Sequence, residues 1–510
     1  MFFNNPSAKR DCYGFEMTRL SRRSFLKGAG LLTLAPAGGC FTSSVRPAQV
    51  VVNDVHTHLN PTRVRNISRV RSLAELTRII RKAGREHRPV SIAGGRHAAG
   101  GQQFATDAEL IDTRALRRIL NFDSEAGILE LEAGIQWPEV MQFLGRAPRD
   151  REEGWTVAQK QTGTDRLTIG GALSANAHGR GLTLPPFISS VESFVLVGAD
   201  GTPHSCSRKE NSDLFKLAIG GYGLFGFIYS VKLRLVQLRK LRRIVSLLDV
   251  NEVPVLFAQR IREGFLYGDF QFAIDSKSDA FLNRGILACY EPVPKTTPLP
   301  SENKKLSAED WKMLIYLAHA EPTRAFDLYA KHYLATSGQV YWSDTQYVSD
   351  YFEDYHRELD ARLNGEPATE VIGEINVPRD VLPVFLGQAR EELRRPDAPP
   401  LIYGTIRLIE KDTESFLPWA KQSYACVIFN LHTHHTPEAV RRTANAFGRL
   451  IDAALGYGGS FYLTYHRYAT REQVLACYPQ FPQFLWLKRK YDPEERFQSD
   501  WYRHYRTMFG

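Results

Sequence analysis

Cysteine is scarce in this chain, with six among 510 residues and no C-x-x-C pair. Cys206, Cys289, Cys426 and Cys477 lie far apart, which argues against a disulfide framework and a cysteine metal cluster. They read as buried free thiols. No G-x-S-x-G elbow and no P-loop is present, so neither that class of serine hydrolase nor P-loop nucleotide chemistry has support. No basic run is interleaved with aromatics, so the formal charge of +9 is no nucleic-acid signal. Part of that charge is local, because residues 1–40 hold six basic side chains against Asp11 and Glu16. Internal repeats and low-complexity segments are also missing. The length, with 43% hydrophobic and 24% charged residues, suits a soluble globular protein of two or three domains.

What is present begins with an address. Ser21 to Lys27 read S-R-R-S-F-L-K, followed by the apolar run 28–37 and small residues. That run is shorter than the ~20 residues a spanning helix needs. The pattern resembles the twin-arginine export signal, and implies a periplasmic or extracytoplasmic protein carried out already folded. Cys40 follows Ala37, Gly38 and Gly39 and resembles the cysteine of a lipoprotein box, although Ala37 stands where a larger aliphatic is usual. A lipid anchor at Cys40 is left open, as is a start at Met17 rather than Met1.

Residues 41–60 read as a linker. The spacing of Leu73, Leu76, Ile79, Ile80 and Ala83 predicts a helix over 72–87, with Ser72 and Glu75 as a capping box. Short strands are expected at 89–93, 109–113, 127–134, 191–197 and 226–236, and helices from Pro138 and over 212–221. This block, 61–240, has no regular βαβ repeat and reads as α+β. Residues 241–455 show further strands, in "GDFQFAID", "GEINVPRD", "YGTIRLIEKD" and "ACVIFNLHTHH", and a helix over 437–455. They read as a second domain with an antiparallel sheet. An aromatic, basic segment follows, 456–510.

"GYGLFG" (221–226) matches G-x-G-x-x-G, but a helix precedes it and a strand follows. A Rossmann site needs the reverse order, so that reading is rejected. "DVHTH" (54–58) and "LHTHH" (431–435) raise a metal-dependent hydrolase as an alternative, since H-x-H on a strand puts both rings on one face. No H-E-x-x-H or third acidic ligand accompanies them, and no metal site is assigned. His432 reads better as a strand histidine facing a pocket.

The glycine-rich pieces come in a fixed order: "SIAGGRHAAGGQQ" (91–103), "TGTDRLTIGGALSANAHGRG" (162–181), "VESFVLVGADG" (191–201) and "DLFKLAIGGYGLFGFI" (213–228). Two loops with free backbone N–H groups are suited to cradle a pyrophosphate. In this order the pieces resemble the FAD-linked oxidoreductases of the vanillyl-alcohol oxidase type, which share a PCMH-type FAD-binding domain. "HGRGLTLPPFISSV" (178–191) and the tail "LKRKYDPEERFQS" (487–499) place the resemblance nearest the aldonolactone and alditol oxidase branch.

The resemblance implies a two-part FAD-binding domain over 61–240, completed by the segment 456–510, and an α+β cap over 241–455 that supplies the substrate pocket. The implied cofactor contacts are Ala93, Gly94, Gly95, Arg96, His97, Gly100 and Gln102 in the first loop. In the second they are Thr162, Gly163, Thr168, Gly170, Gly171, Ser174, Asn176, Ala177, His178 and Gly179, and further on Gly226 and Ile228. Gly94 and Gly95 are expected to bend the chain. The family order G-R-G-H-S stands here as Gly94-Gly95-Arg96-His97-Ala98. His97 is at the matching place for a covalent bond to FAD, and the second loop has no cysteine for another.

The implied chemistry is hydride transfer from a hydroxyl-bearing small molecule (sugar, alditol or lactone) to flavin, with oxygen or another acceptor closing the cycle. It requires a proton acceptor and a cation near the flavin. Relatives use a carboxylate-x-Arg pair on a cap strand. Here Arg407 is retained, but Thr405 replaces the acid. Glu374, His432, Tyr465 and His466 are the remaining candidates for the base. The absent acid also admits a catalytically idle flavin-binding protein.

Overall fold

The computed structural model describes residues 50–147, 153–345, 355–363 and 365–510. The export segment, Cys40 and Met17 lie outside the described residues. The segment expected as the end of a linker folds as a hairpin, Val50–Val52 antiparallel to Thr62–Val64. Its loop is organised by the buried Asp54, whose carboxylate accepts the N–H groups of His56, Thr57 and His58.

The helix Leu73–Arg85 buries Leu76, Ile80 and Ala83 and links two parallel strands, Asn66–Arg69 and Val90–Ala93, which flank Glu109–Asp112. Ser72 caps it as expected, accepting from Glu75 N–H at 3.2 Å. The Glu75 carboxylate, however, accepts from Arg71 N–H at 2.9 Å, so the capping box is displaced by one residue.

A second, antiparallel sheet centres on Phe227–Gln237. Val231, Leu233 and Leu235 point inward and Lys232 and Arg234 outward, as period-two alternation requires. The strand pairs with Ile128–Glu132 on one side and Val191–Val197 on the other. The helix Ser212–Ala218 precedes "GYGLFG" and this strand follows, so the inverted context inferred from sequence is real.

The chain then enters an eight-stranded antiparallel sheet. Its order is Val340–Trp342, Lys240–Asp249, Arg284–Val293, Tyr267–Phe272, Leu401–Ile409, Tyr424–His434, Ala368–Pro378 and Ser460–Phe461. The helix Pro437–Leu455 covers one face, where a Cβ on Gly373 would stand 2.1 Å from the Phe447 ring. Helices Ala308–Ala320 and Pro322–Ala335 lie over the other face, with Tyr329 and Ala330 packed on Val245, Ile286 and Ala288.

The tail motif has a structural meaning. Residues 496–498 run beside Val90: Val90 N–H donates to Arg496 O at 2.7 Å, and Gln498 N–H to Val90 O at 2.8 Å. Buried Lys488 pairs with buried Asp492, whose carboxylate also accepts from Arg496 N–H and Phe497 N–H, both at 2.8 Å. The Arg496 guanidinium reaches back to Ala83 O and Arg88 O, satisfying carbonyls at the end of the first helix.

Candidate active site

A cavity of about 1540 Å³ lies between the glycine loops and the face of the eight-stranded sheet opposite Phe447. Gly94, Gly95, Arg96, His97, Gln102, Thr162, Gly163, Thr168, Gly170, Gly171, Ser174, Ala177, His178, Gly226 and Ile228 line it. Ala93, Gly100, Asn176 and Gly179 do not, and each has another task. Ala93 ends its strand by accepting Thr113 N–H. Gly100 N–H donates to Gln102, which is held by Thr464 O at 2.8 Å. Asn176 caps its helix in the left-handed conformation, and its amide spans from Ile188 N–H to Asp412. Gly179 is required by proximity, since a Cβ there would meet Lys160 O at 2.6 Å.

The first loop turns at a different residue from the one expected. Neither Gly94 nor Gly95 has a positive φ, whereas Arg96 does, at 62°. The arginine thus holds the left-handed backbone at the position where the resembled family has glycine. The two glycines serve close approach: a Cβ on Gly94 would stand 2.1 Å from Thr168 Oγ1, and one on Gly95 2.2 Å from Arg166 O. They let the first loop lie against the second.

His97 is mostly buried, and its pKa falls to about 4, first through desolvation and then through the neighbouring charges of His56 and Arg166. It is therefore a neutral imidazole at neutral pH. Among the described residues, the backbone N–H groups of Gly95, Arg96 and Ala98 meet no protein acceptor. The buried Thr113 hydroxyl and Arg96 Nε also have no partner. These donors and the small-residue floor from Gly170 to Ala177 fit a pyrophosphate and a flat ring system, so the site fits FAD.

On the sheet side, Tyr403, Thr405 and Arg407 share the cavity-facing side of one strand, as alternation predicts. Arg407 Nη2 donates to Thr162 Oγ1 at 2.5 Å, joining this strand to the second glycine loop. Thr405 Oγ1 is committed to Phe270 O at 3.2 Å, so it is no substitute for the carboxylate of relatives.

Glu374 stands behind the wall rather than on it. It is buried, 3.0 Å from His178 Nε2, and accepts from Tyr465 Oη at 3.4 Å. Tyr465 and His178 both line the cavity, so these three candidates form one connected group. Burial, reinforced by the Glu374 charge, pushes the Tyr465 phenol well above its usual range, which keeps it a proton donor. His432 is off the wall, held by Glu370 beneath a helix. His466 is also removed, buried between Phe447 and Tyr468.

Sequence reasoning missed the polar end of the cavity. Arg180 bonds Asp269 at 3.1 Å and lies 4.7 Å from the Tyr290 ring centroid. Arg243 donates to Tyr290 Oη and sits over Tyr341 and Tyr333. Arg180 lies inside "HGRGL" and Asp269 inside "GDFQF", so both segments were in view, but nothing local pairs them across 89 residues.

Residues 65–207 match the family described as FAD binding domain. The chain is 27% identical to L-gulonolactone oxidase of Mus musculus over 165 residues, 32% of this chain and 36% of that protein. It is 30% identical to cytokinin dehydrogenase 7 of Oryza sativa subsp. japonica over 219 residues, 40% of each. It is 24% identical to L-gulono-1,4-lactone dehydrogenase of Mycobacterium tuberculosis (strain ATCC 25618 / H37Rv) over 440 residues, 86% of this chain and 95% of that protein. The chain thus spans little more than a third of the mouse and rice relatives. It carries a PCMH-type FAD-binding domain with an α+β cap, binds FAD, and is similar to the aldonolactone branch of the flavoproteins built this way.

Proposed function

We propose that the protein is an FAD-dependent oxidoreductase that takes hydride from a hydroxyl-bearing carbon of a sugar, alditol or lactone. The observation that carries this reading is the shared cavity, with glycine loops on one wall and Arg407 on the other, tied together by the Arg407–Thr162 bond. Bound FAD supplies the hydride acceptor. Gly95, Arg96 and Thr113 present donors to its phosphates, and neutral His97 is the nucleophile suited to tether it. Arg407 places a fixed cation where negative charge builds up. Tyr465 takes the substrate hydroxyl proton as it passes its own to Glu374, which the contact with His178 Nε2 holds in place. The names of the relatives make five-membered aldonolactones the first substrates to try.

The test is anaerobic. L-gulono-1,4-lactone, L-galactono-1,4-lactone and a set of alditols are mixed with purified protein, and flavin absorbance is followed. Bleaching by at least one is expected. Flavin that no hydroxyl compound bleaches, although dithionite does, counts against the oxidoreductase reading and favours an idle binder. In the same preparation, acid-denatured wild type should retain flavin fluorescence on a gel while His97→Ala releases it. Free flavin from both would refute the tether alone. The S-R-R-S-F-L-K segment supports export, and the expected outcome is retention of the protein in the cytoplasm of a strain lacking the twin-arginine translocase.

A further inference from the structure

We infer that His319, Glu370 and His432 form a binding site for one divalent transition-metal ion, zinc in the first instance. The three come from separate elements: the helix Ala308–Ala320, the strand Ala368–Pro378 and the strand Tyr424–His434. Glu370 and His432 are direct cross-strand neighbours, and His319 descends on them from the last turn of the helix. One carboxylate oxygen, Glu370 Oε1, stands 3.0 Å from His319 Nε2 and 3.2 Å from His432 Nδ1. All three candidate donor atoms lie within 4.8 Å of one another.

The hydrogen bonds of His319 decide its chemistry. Its Nδ1 is 2.9 Å from Ile315 O, and a carbonyl only accepts, so Nδ1 carries the hydrogen. In the neutral ring Nε2 then has a lone pair, and it is aimed at a carboxylate oxygen. Two acceptors at 3.0 Å repel unless positive charge, from a proton or a metal ion, lies between them. A proton bridges one ring to the carboxylate, whereas a metal ion engages both imidazoles and Glu370 Oε1 together, as their convergence within 4.8 Å allows. Donation of the other ring N–H to a backbone carbonyl is the arrangement that orients metal-bound imidazoles. Bonds of ~2.0–2.2 Å in a tetrahedron place ligand atoms roughly 3.4 Å apart. The two His–Glu distances are close to that, and only the His–His distance needs to contract. The three side chains are 5%, 9% and 13% exposed, so the cluster borders solvent, the source of a fourth ligand.

The same geometry separates this cluster from His178, whose Nδ1 also faces a carbonyl and whose Nε2 also faces a carboxylate. No second imidazole joins that pair among the described residues, so it offers two ligands where the His319 cluster offers three. The position of the cluster suggests a role. Ile315, one turn before His319, and Ile372 and Asn430, two residues along the strands, line the cavity. An ion here pins the covering helix to the sheet at the edge of the substrate space, away from the flavin-facing residues.

The test uses the full-length holoprotein, prepared without a histidine tag, stripped with chelator and titrated with zinc chloride alone. Elemental analysis after gel filtration should give one zinc per chain, and cobalt(II) in its place should give a visible d–d band of a tetrahedral site. His319→Ala and Glu370→Gln should each lose stoichiometric zinc and the band, with flavin content unchanged. His434→Ala, on the neighbouring half-exposed residue, should retain both. A folded wild type that takes up no zinc overturns the proposal, as does zinc uptake unaffected by both variants. Should His319→Ala fail to fold, cobalt-shifted imidazole proton resonances in wild type serve instead, and their absence is equally decisive against the site.

Discussion

Replacing Arg96 by glycine separates two roles that this residue combines. Its backbone is left-handed, at φ 62°, a conformation that costs a residue with a side chain about 1–2 kcal/mol. Glycine removes that strain but adds about 0.4–1 kcal/mol of unfolded-chain entropy. The lost ion pair is weak, because Arg96 stands 3.9 Å from Asp112, which keeps its two bonds to Arg114 at 2.9 and 2.6 Å. An exposed or shared pair of this sort contributes about 0–1 kcal/mol. The terms nearly cancel, so apoprotein stability in urea should change by less than about 1 kcal/mol. FAD binding should respond differently. A guanidinium contact to phosphate is worth about 1.5–3 kcal/mol, which corresponds to roughly 10- to 100-fold in affinity. The measurement is FAD reconstitution of apoprotein in the His97→Ala background, where a covalent bond cannot mask the loss. Unchanged FAD affinity together with apoprotein destabilised by more than about 2 kcal/mol would refute this account and make Arg96 a structural residue.

The buried Lys488–Asp492 pair should behave as a strut, so Asp492→Ala should cost about 3–5 kcal/mol by leaving a buried ammonium alone, seen as a fall in Tm of the folded enzyme. Acid sensitivity should come from buried histidines. Burial pulls His466 down to about 3 and His97 to about 4, so both are neutral in the native state while the unfolded chain protonates them below about 6.5. Their stabilisation is complete above that pH and is lost as pH falls toward those values, at up to about 1.4 kcal/mol per pH unit for each group. In urea titrations across pH 4–6.5, His466→Phe should flatten this slope, and an unchanged slope would exclude His466 as a contributor.

The fold was most legible where local chemistry was sufficient. The helix Pro437–Leu455 begins at its proline and keeps its buried stripe of Phe447, Leu450, Ile451 and Ala454. Strands with alternating burial, such as Phe227–Gln237, were equally plain. The strands Lys240–Asp249 and Arg284–Val293 were not, because the first mixes basic residues with aliphatic ones and the second is buried along most of its length. The site was legible as far as its glycine loops. Which atom does what within them was not. Gly94 and Gly95 reveal their purpose only when Thr168 and Arg166 arrive from the second loop, some seventy residues on. Glu374, Tyr465 and His178 were separate candidates until the cap and the FAD-binding domain met. His432 looked like half of an H-T-H pair, whereas its actual partners, His319 and Glu370, come from elements that no spacing connects to it.

The bond from Val90 to Arg496 has a consequence for synthesis. The first parallel sheet is encoded early, yet its outer edge is completed by residues about 400 positions later. A ribosome finishing the cap has therefore released an FAD-binding domain with an open strand edge. Pairing across such a separation is slow, and a bare edge recruits other chains. Nascent chains should thus depend on chaperones until residues 496–498 emerge, and acceptance of FAD should report that this segment has been made.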